Sequence, residues 1–338
     1  MRRIALAPLL VAVAACGSDP APAPTPHPET LRVLTLNLGN RDGDDPHYPY
    51  RLRLSAYEDH IGAALRALRP DVVALQEVLP DHYCEAFDET DPTRPCFSHD
   101  ERPATARRLL GADYAIVCDD RLHFECLGVH RDFGRLEGAG EAGLDLTGAP
   151  NDPLPLPTCS YVDQTCDEDH CDLEATASRA AVVAKWGRLD LVHLHLNAAG
   201  FEASGAFYLG ARCRVGQLQQ VADALDPATP TVVLGDFNFD PSSPLYEAEA
   251  AVWDTIVGDE LPLRDHGERD PEGGRVPTVA LGFAIDHVLS SFARGTCEVL
   301  DDPLIDAAFD FSALDGGASW AGRVDHRAVL CDLAWPAE

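Results

Sequence analysis

Two polar side chains follow an apolar run in the middle of the chain. The run Val232–Leu234 ends at Gly235, and Asp236 and Asn238 come next, separated by one residue. Residues two positions apart in an extended chain point to the same side, so the carboxylate and the carboxamide converge. Gly, Asp and Asn are also common turn residues, and this stretch by itself is equally compatible with a polar turn.

The same kinds of side chain stand at the ends of other short apolar segments. They are Asn37, Glu77, His195, Asn197, Asp286, Asp325 and His326. Polar groups from several strand ends can gather over one edge of a sheet, which predicts a functional site there. Carboxylate and carboxamide oxygens suit Mg²⁺, which keeps several waters and binds substrate phosphates. Histidine can transfer protons or bond a phosphoryl oxygen near neutral pH.

The segments that must hold these residues alternate between strand and helix patterns. Short apolar runs predict strands near residues 31–38, 71–76, 180–186, 189–196, 230–235 and 284–290. Apolar residues at helical spacing predict helices over 51–68 and 203–225. A short helix is expected at Thr105–Leu110, and two paired strands are expected at Tyr114–Cys118 and Phe124–His130. Gly187 and Arg188 are expected to form the turn of a hairpin. Runs of this length are typical of an α/β protein, and no mature transmembrane helix is visible.

The charge balance is strongly acidic. Asp and Glu number 56 against 26 Lys and Arg, which gives a formal net charge of −30. Lys185 is the only lysine, and no basic run follows the first three residues. Because nucleic-acid binders usually carry a basic stripe that displaces phosphate counterions, this balance weakens a nuclease interpretation.

The N-terminus indicates export. Residues 1–15 combine a charged start with an apolar stretch that is too short to span a bilayer, as in a signal peptide. Val13–Cys16 is similar to a bacterial lipobox, which predicts lipidation of Cys16, although an ordinary signal peptide with a chance cysteine is the alternative. Residues 16–30 are rich in proline and suit an extended tether. We expect a protein anchored by lipid to the bacterial cell envelope, either periplasmic or on the cell surface.

Ten cysteines follow Cys16, and an even number in an exported chain predicts up to five disulfides of undetermined connectivity. Residues 131–173 are rich in Gly, Pro and Asp and form a predicted Cys-rich insertion. A zinc site at Cys159, Cys166, His170 and Cys171 is an alternative, but no C-x₂-C pair supports it.

Six short motifs occur in order along the chain. They are Leu34–Asn37, Leu75–Val78, Leu194–Ala198, Gly235–Asn238, Ile285–Ser290 and Val324–Val329. Together they resemble the successive motifs of the endonuclease/exonuclease/phosphatase superfamily. The histidine at 195 resembles the deoxyribonuclease I and sphingomyelinase branches more than the apurinic endonucleases, which tend to have a tyrosine there. The resemblance implies one domain over residues 31–338, with the insertion inside it.

The resemblance implies a fold and a metal site. The fold is a four-layer α/β sandwich, with two mixed β-sheets packed face to face and helices outside. Glu77 is the expected principal Mg²⁺ ligand, with Asn37 beside it and Asp325 close to the metal. Mn²⁺ is an alternative metal.

The resemblance also implies catalytic roles. Asp236 is expected to orient or deprotonate the attacking water, and Asn238 to hold the phosphate. His326, oriented by Asp286, is expected to bond a phosphoryl oxygen. His195 is expected to polarise the phosphate or protonate the leaving oxygen, although His193 stands two residues earlier on the same face.

Four further polar residues accompany these motifs. Arg179 and Asn197 are predicted to bind substrate, although an arginine that opens a strand is as commonly just exposed. Thr278 is likewise open between a phosphate contact and a structural role. His287 is expected to serve packing.

The sequence thus predicts an exported Mg²⁺-dependent phosphoesterase that hydrolyses a phosphodiester or phosphomonoester by metal-assisted attack of water. A secreted deoxyribonuclease-type endonuclease and a sphingomyelinase or phospholipase C-type lipid hydrolase are the alternatives. A non-catalytic surface binding lipoprotein is a further one. The expected partners are a phosphate-ester substrate and a membrane reached through the N-terminal lipid, and we expect a monomer.

Overall fold

The computed structural model describes most of the predicted domain but not all of it. The described residues are 30–38, 55–78, 105–118, 125–137, 144–145, 152–153, 176–196, 214–219, 221–223, 225–258, 263–279, 282–292, 294–300 and 326–335. The predicted signal peptide, Cys16, the tether up to residue 29 and the cysteines at 159, 166 and 171 lie outside them.

Fourteen strands and four helices are assigned in the described residues. The strands are β1 (Thr30–Asn37), β2 (Val72–Gln76), β3 (Tyr114–Cys118), β4 (Cys126–His130), β5 (Gly134–Leu136), β6 (Leu144–Asp145), β7 (Asp152–Pro153), β8 (Thr176–Ala184), β9 (Gly187–His195), β10 (Thr231–Asp236), β11 (Arg264–Asp265), β12 (Asp286–Ser290), β13 (Gly295–Val299) and β14 (Val329–Ala334). The helices are α1 (Ser55–Leu68), α2 (Thr105–Leu110), α3 (helical at 214–219 and 221–223) and α4 (Glu247–Val257). A short 3₁₀ helix, Pro244–Tyr246, precedes α4.

The strands form two mixed sheets. The first sheet has the order β13-β14-β1-β2-β4-β3-β6, and the second has the order β11-β12-β10-β9-β8-β5, with β7 also paired to β8. Each sheet contains a central parallel pair, β1 with β2 and β9 with β10. A helix lies between the two strands of each pair in sequence, as parallel connections require.

Three apolar clusters define the layers. One lies between the sheets and includes Val33, Ala74, Leu191 and Val232. A second packs α1 and α2 on the outside of the first sheet, and a third packs α3 and α4 on the outside of the second sheet. This arrangement confirms the predicted four-layer α/β sandwich with two mixed sheets face to face and helices outside.

The alternation of side chains along the strands places the polar residues on the inner faces. On β1, Leu31 and Val33 face the other sheet, whereas Leu34 and Leu36 face the helices. Asn37 continues the inner series because it follows Val33 by four residues. The inner faces of the sheets are therefore apolar along most of their length and become polar at one end.

Two sequence expectations are corrected by the strand register. The turn between β8 and β9 is formed by Lys185 and Trp186, since Gly187 already pairs with Ala184 in the ladder. The segment Gly134–Leu136, inside the predicted insertion, is strand β5 and pairs with β8. Those residues therefore form an edge strand of the second sheet.

Two disulfides lie in the described part of the chain. Cys118 is bonded to Cys126, and Cys297 is bonded to Cys331. Each joins residues that are directly opposite in neighbouring antiparallel strands. Both confirm that cysteines of this chain pair with one another.

No helix in the described ranges is long and apolar enough to cross a membrane.

Candidate active site

The carboxyl ends of the two parallel strand pairs meet at one rim of the sandwich. Asn37 pairs with Gln76 at the end of β1 and β2, and His195 pairs with Asp236 at the end of β9 and β10. Asp286 begins β12, which runs antiparallel to β10, and it lies opposite Asp236. Five strands therefore deliver polar side chains to the same edge, where ligand sites of α/β sheets commonly form.

One oxygen of Asp236 is the centre of this cluster. Asn37 Nδ2 donates a hydrogen bond to Asp236 Oδ2 over 3.1 Å. Nε2 of His195 lies 3.6 Å from the same oxygen, and Nε2 of His326 lies 3.7 Å from it. Asp236 is 1% exposed. The two histidines thus approach one carboxylate oxygen from different segments, His195 from the end of β9 and His326 from the residues before β14.

Each of these two histidines also bonds a second carboxylate through Nδ1, the ring nitrogen that does not face Asp236. His326 Nδ1 lies 2.9 Å from Asp286 Oδ2, and His195 Nδ1 lies 2.9 Å from Glu125 Oε1. Because an ionised carboxylate only accepts hydrogen bonds, Nδ1 is the donor in both pairs. The pairing fixes both imidazole rings with Nε2 directed at Asp236.

Glu125 is a residue of the site that the sequence motifs do not include. It lies directly before β4, is 2% exposed, and its second oxygen, Oε2, is 3.5 Å from Nε2 of His193. A signal was present, because an acid stands next to the apolar strand that pairs with the strand of Glu77. The strand was predicted to begin at Phe124, so Glu125 was counted inside it rather than at its end.

The carboxylates control the protonation of His195. Burial alone would lower the pKa of His195, but the charges of Glu125, Asp236 and Glu77 raise it to about 9. Burial raises the pKa of Glu125 to about 7, against the opposing effect of His195. Burial also raises the pKa of Asp236, and the nearby charge of Asp286 adds to this. His195 is therefore a proton donor at neutral pH.

Asn37 and Glu77 face Asp236 from the first sheet. Asn37 Nδ2 also donates to Glu77 Oε1 over 3.1 Å, and Glu77 Oε1 lies 4.0 Å from His195 Nε2. Glu77 has a positive φ of 53°, and Asn238 has one of 54°. Non-glycine residues rarely adopt this left-handed conformation, and such strain concentrates at functional sites.

Two residues fix the backbone beneath the site. Gly235 has φ of 147°, and a Cβ atom there would lie 1.8 Å from the carbonyl oxygen of Leu194. Only glycine allows β10 to approach β9 so closely before Asp236. Thr278 Oγ1 accepts hydrogen bonds from the backbone N–H groups of Ile285 and Asp286, at 3.0 and 3.1 Å. Thr278 thus anchors the start of β12. Of the two roles predicted for it, a phosphate contact or a structural role, these bonds support the structural role.

Asn238 contacts protein atoms in this structure. Its backbone N–H donates to Asp236 Oδ1 over 2.8 Å, and its side-chain Nδ2 donates to the carbonyl oxygen of Leu196 over 2.8 Å. These bonds hold the turn after β10 and orient Asp236. The predicted contact of Asn238 with phosphate stays a prediction.

Arg179 lies outside the cluster. It pairs with Val192, whose side chain belongs to the outer apolar cluster, so Arg179 and His195 are on opposite faces of the second sheet. Its guanidinium forms an ion pair with Asp190. This placement does not fit the predicted role of Arg179 in substrate binding.

The other predicted residues are distributed as follows. His287 lies on the outer face of β12, where its Nε2 bonds the carbonyl oxygen of Phe239 over 3.1 Å. Burial and the charge of Arg275 lower the pKa of His287 to about 4, so it is a neutral packing residue. Asn197 and Asp325 lie outside the described residues.

The donor set fits a hard divalent cation. Asp236, Asp286 and His326 each offer a ligand atom within 4.8 Å of one another. Since Asp286 already accepts the Nδ1–H of His326, the oxygens of Asn37 and Glu77 are the better set for a cation such as Mg²⁺. Asp286 Oδ1 is buried and has no hydrogen-bond partner among the described residues, and a positive charge would stabilise a cluster this rich in carboxylates.

Comparisons with known proteins agree with this geometry. The sequence matches the Endonuclease/Exonuclease/phosphatase family over residues 34–320. No curated protein gives a significant sequence match.

Several solved structures share the fold. An endonuclease/exonuclease/phosphatase from Beutenbergia cavernae is 22% identical with a TM-score of 0.54, covering 91% of this chain and 72% of that one. The catalytic domain of human Nocturnin, solved with a bound sulfate anion, is 16% identical with a TM-score of 0.53, covering 91% and 94%. TDP2 from D. rerio, complexed with single-strand DNA product, is 14% identical with a TM-score of 0.52, covering 90% and 98%.

The family match spans most of the chain, and the fold and the cluster of acids and histidines agree with it. The chain therefore belongs to the Endonuclease/Exonuclease/phosphatase family and is a metal-dependent hydrolase that acts on phosphoric ester bonds.

Proposed function

We propose that the protein is an exported, Mg²⁺-dependent phosphodiesterase that is anchored to the cell envelope by a lipid on Cys16. The observation that carries the catalytic part is the convergence on Asp236 Oδ2 of Asn37 at 3.1 Å and of the Nε2 atoms of His195 and His326 at 3.6 and 3.7 Å. A carboxylate between two oriented imidazoles can activate a water next to a phosphate.

Glu77 and Asn37 would hold the cation, with Asp325 close to it. When bound, the cation supplies positive charge that polarises the phosphate and offsets the negative charge of the site. Without such a charge, the carboxylates of Glu77, Glu125, Asp236 and Asp286 would repel an anionic substrate. This electrostatic balance supports metal dependence.

The histidines supply the proton donors. His195, whose pKa is raised to about 9, presents a protonated Nε2 to a phosphoryl or leaving oxygen. His326 presents Nε2 from the other side, oriented by Asp286. Asp236 orients the water and takes its proton as the water oxygen bonds to phosphorus. The bond between phosphorus and the leaving oxygen breaks, and that oxygen takes a proton from an imidazolium of the site. Negative charge that develops on the phosphoryl oxygens is met by donors already in place.

The charge of the protein bears on its substrate class. The net charge of −30 favours a small phosphodiester or a phospholipid headgroup over duplex DNA, which is bound through many basic contacts. A deoxyribonuclease-type activity is the competing candidate, since a TDP2 of the same fold was solved with a DNA product.

The test is one panel under one set of conditions. Purified protein is assayed with bis-p-nitrophenyl phosphate, p-nitrophenyl phosphate, plasmid DNA, RNA, sphingomyelin and inositol phosphates, each with Mg²⁺, Mn²⁺ or EDTA. We expect hydrolysis with metal, a loss of about 10²- to 10³-fold in Glu77→Gln, and no loss in the exposed control Glu272→Gln. Equal rates for wild type and Glu77→Gln on every substrate would refute the proposal.

Export and lipidation need a separate measurement. Cells are labelled with radioactive palmitate, and wild type is compared with Cys16→Ala. Incorporation that depends on Cys16, together with recovery in the membrane fraction, is expected. A soluble, unlabelled wild-type protein would remove the anchor and leave the enzymatic proposal intact.

A further inference from the structure

The disulfide Cys118–Cys126 joins β3 and β4 one residue along the chain from Glu125, whose carboxylate holds His195. Cys126 is the first residue of β4, Cys118 is the last residue of β3, and the two are opposite each other in the ladder. Glu125 is the residue before Cys126. The covalent bond therefore closes the end of this hairpin at the position from which Glu125 enters the site.

Glu125 needs such a restraint because its carboxyl group is buried, and burial disfavours the ionised form that bonds His195. The residue is 2% exposed, and burial is the main influence on its pKa, which is raised to about 7. One oxygen bonds His195, and the other faces His193 at 3.5 Å without a hydrogen-bond partner among the described residues. A strand end that separates from its partner would let this carboxylate become hydrated.

We propose that the Cys118–Cys126 disulfide is a positioning element of the active site, which acts through Glu125 to keep His195 oriented toward Asp236. This inference rests on the proposed function for its kinetic consequence. It predicts that the enzyme reaches full activity only when this bond is formed, in addition to any stability that the bond provides.

The second disulfide offers a matched control. Cys297–Cys331 also joins directly opposite residues of antiparallel strands. Cys331 pairs with Val33, four residues before Asn37. Both cysteines of this disulfide belong to the apolar core between the sheets. Its removal therefore tests what the loss of a cross-strand disulfide does away from the site.

The kinetic test compares C118A/C126A with C297A/C331A in the full chain, well below both melting temperatures. We expect C118A/C126A to lower kcat about 10- to 100-fold with KM near that of wild type, as for loss of a group that orients a catalytic residue. C297A/C331A should lower the melting temperature and leave kcat unchanged. When C118A/C126A is combined with Glu125→Gln, kcat should fall no further than in Glu125→Gln alone.

Wild-type kcat in C118A/C126A, or a loss that adds fully to that of Glu125→Gln, would overturn the inference.

A second readout does not need a substrate. The downfield Nδ1–H proton of His195, identified by its absence in His195→Asn, should be seen by NMR in wild type and C297A/C331A. It should disappear in Glu125→Gln and in C118A/C126A, and its persistence in C118A/C126A would refute the positioning role. An inactive wild type with this NMR pattern would refute the proposed function alone.

Discussion

Asn37 of the first sheet donates a hydrogen bond to Asp236 of the second sheet over 3.1 Å. Both residues are buried, and each ends one strand of a parallel pair. The active site is consequently built across the interface between the sheets. Its geometry depends on how the two sheets pack, and the apolar residues between them set that packing.

Replacement of Asn37 should disconnect the two halves of the site. Asn37→Ala removes the amide that bonds both Glu77 and Asp236, so we expect kcat to fall about 10²-fold. Steady-state kinetics on the best substrate of the panel measures this. Gln219→Ala, which removes an exposed amide on α3, is the control and should retain full activity. An active Asn37→Ala enzyme would mean that this bridge has no catalytic role.

Metal binding should stabilise the folded protein through Glu77. A ligand that binds only the folded state at about 100 times its Kd adds about 2.7 kcal/mol to the unfolding free energy. We therefore expect Mg²⁺ or Mn²⁺ to raise the melting temperature of wild type, and EDTA to reverse the rise. Glu77→Gln should lose most of this response, whereas Glu272→Gln should keep it. The same metal-induced shift in both variants would place the cation elsewhere.

Asp286 should act on catalysis through His326. Asp286→Asn keeps the shape of the side chain but weakens the hold on Nδ1, and we expect a loss of about 10- to 100-fold in kcat. Because both residues act as one unit, the double variant D286N/H326A should be no slower than H326A. Additive losses in this cycle would show that Asp286 has an independent role.

Gly235 should be intolerant of any side chain. In Gly235→Ala, the Cβ atom would lie 1.8 Å from the carbonyl oxygen of Leu194, and φ of 147° is unfavourable for alanine. Together these effects should lower the unfolding free energy by about 3 kcal/mol or more. Gly273→Ala is the control, since it has a positive φ but no atom within 4 Å of the new Cβ. It should cost about 1–2 kcal/mol. Urea denaturation of both variants separates the clash from the backbone strain.

His287 should make the protein acid-labile. Its pKa is lowered from 6.5 to about 4 by burial and by Arg275, so the folded state resists the proton that the unfolded state accepts. Stability is unaffected above pH 6.5 and falls as the pH drops toward 4, by a total of about 3 kcal/mol. His287→Gln should lose less stability over this window. Parallel curves of unfolding free energy against pH would contradict the prediction.

The elements with strong local patterns were predictable. The polar ends of β1, β2, β9 and β10 follow apolar runs, Asp286 precedes the apolar residues of β12, and β3 and α2 were predicted with their observed bounds. The predicted helix over 51–68 is observed as α1 in its described part, Ser55–Leu68, and residues 51–54 lie outside the described residues. The hairpin turn was misplaced by two residues since Gly187 is a usual turn residue, yet here it opens β9.

The residues of the candidate site were predictable where their type and position were both informative. Asn37, Glu77, His195, Asp236, Asp286 and His326 all lie in or beside the cluster. Arg179 could not be placed, because whether it faces the site depends on the register of β8 against β9. Glu125 was visible in the sequence as an acid beside an apolar run, but its role was not, because that role comes from a contact with a residue 70 positions away.

The sequence by itself determined which strands end in acids, amides and histidines, and therefore what chemistry one rim of the sandwich can perform. Local hydrophobic period and residue type carry that information. Only the tertiary structure decided which carboxylate holds which histidine. Those pairings join strands of different sheets, whose relative position is fixed by packing of the whole apolar core and by no local pattern.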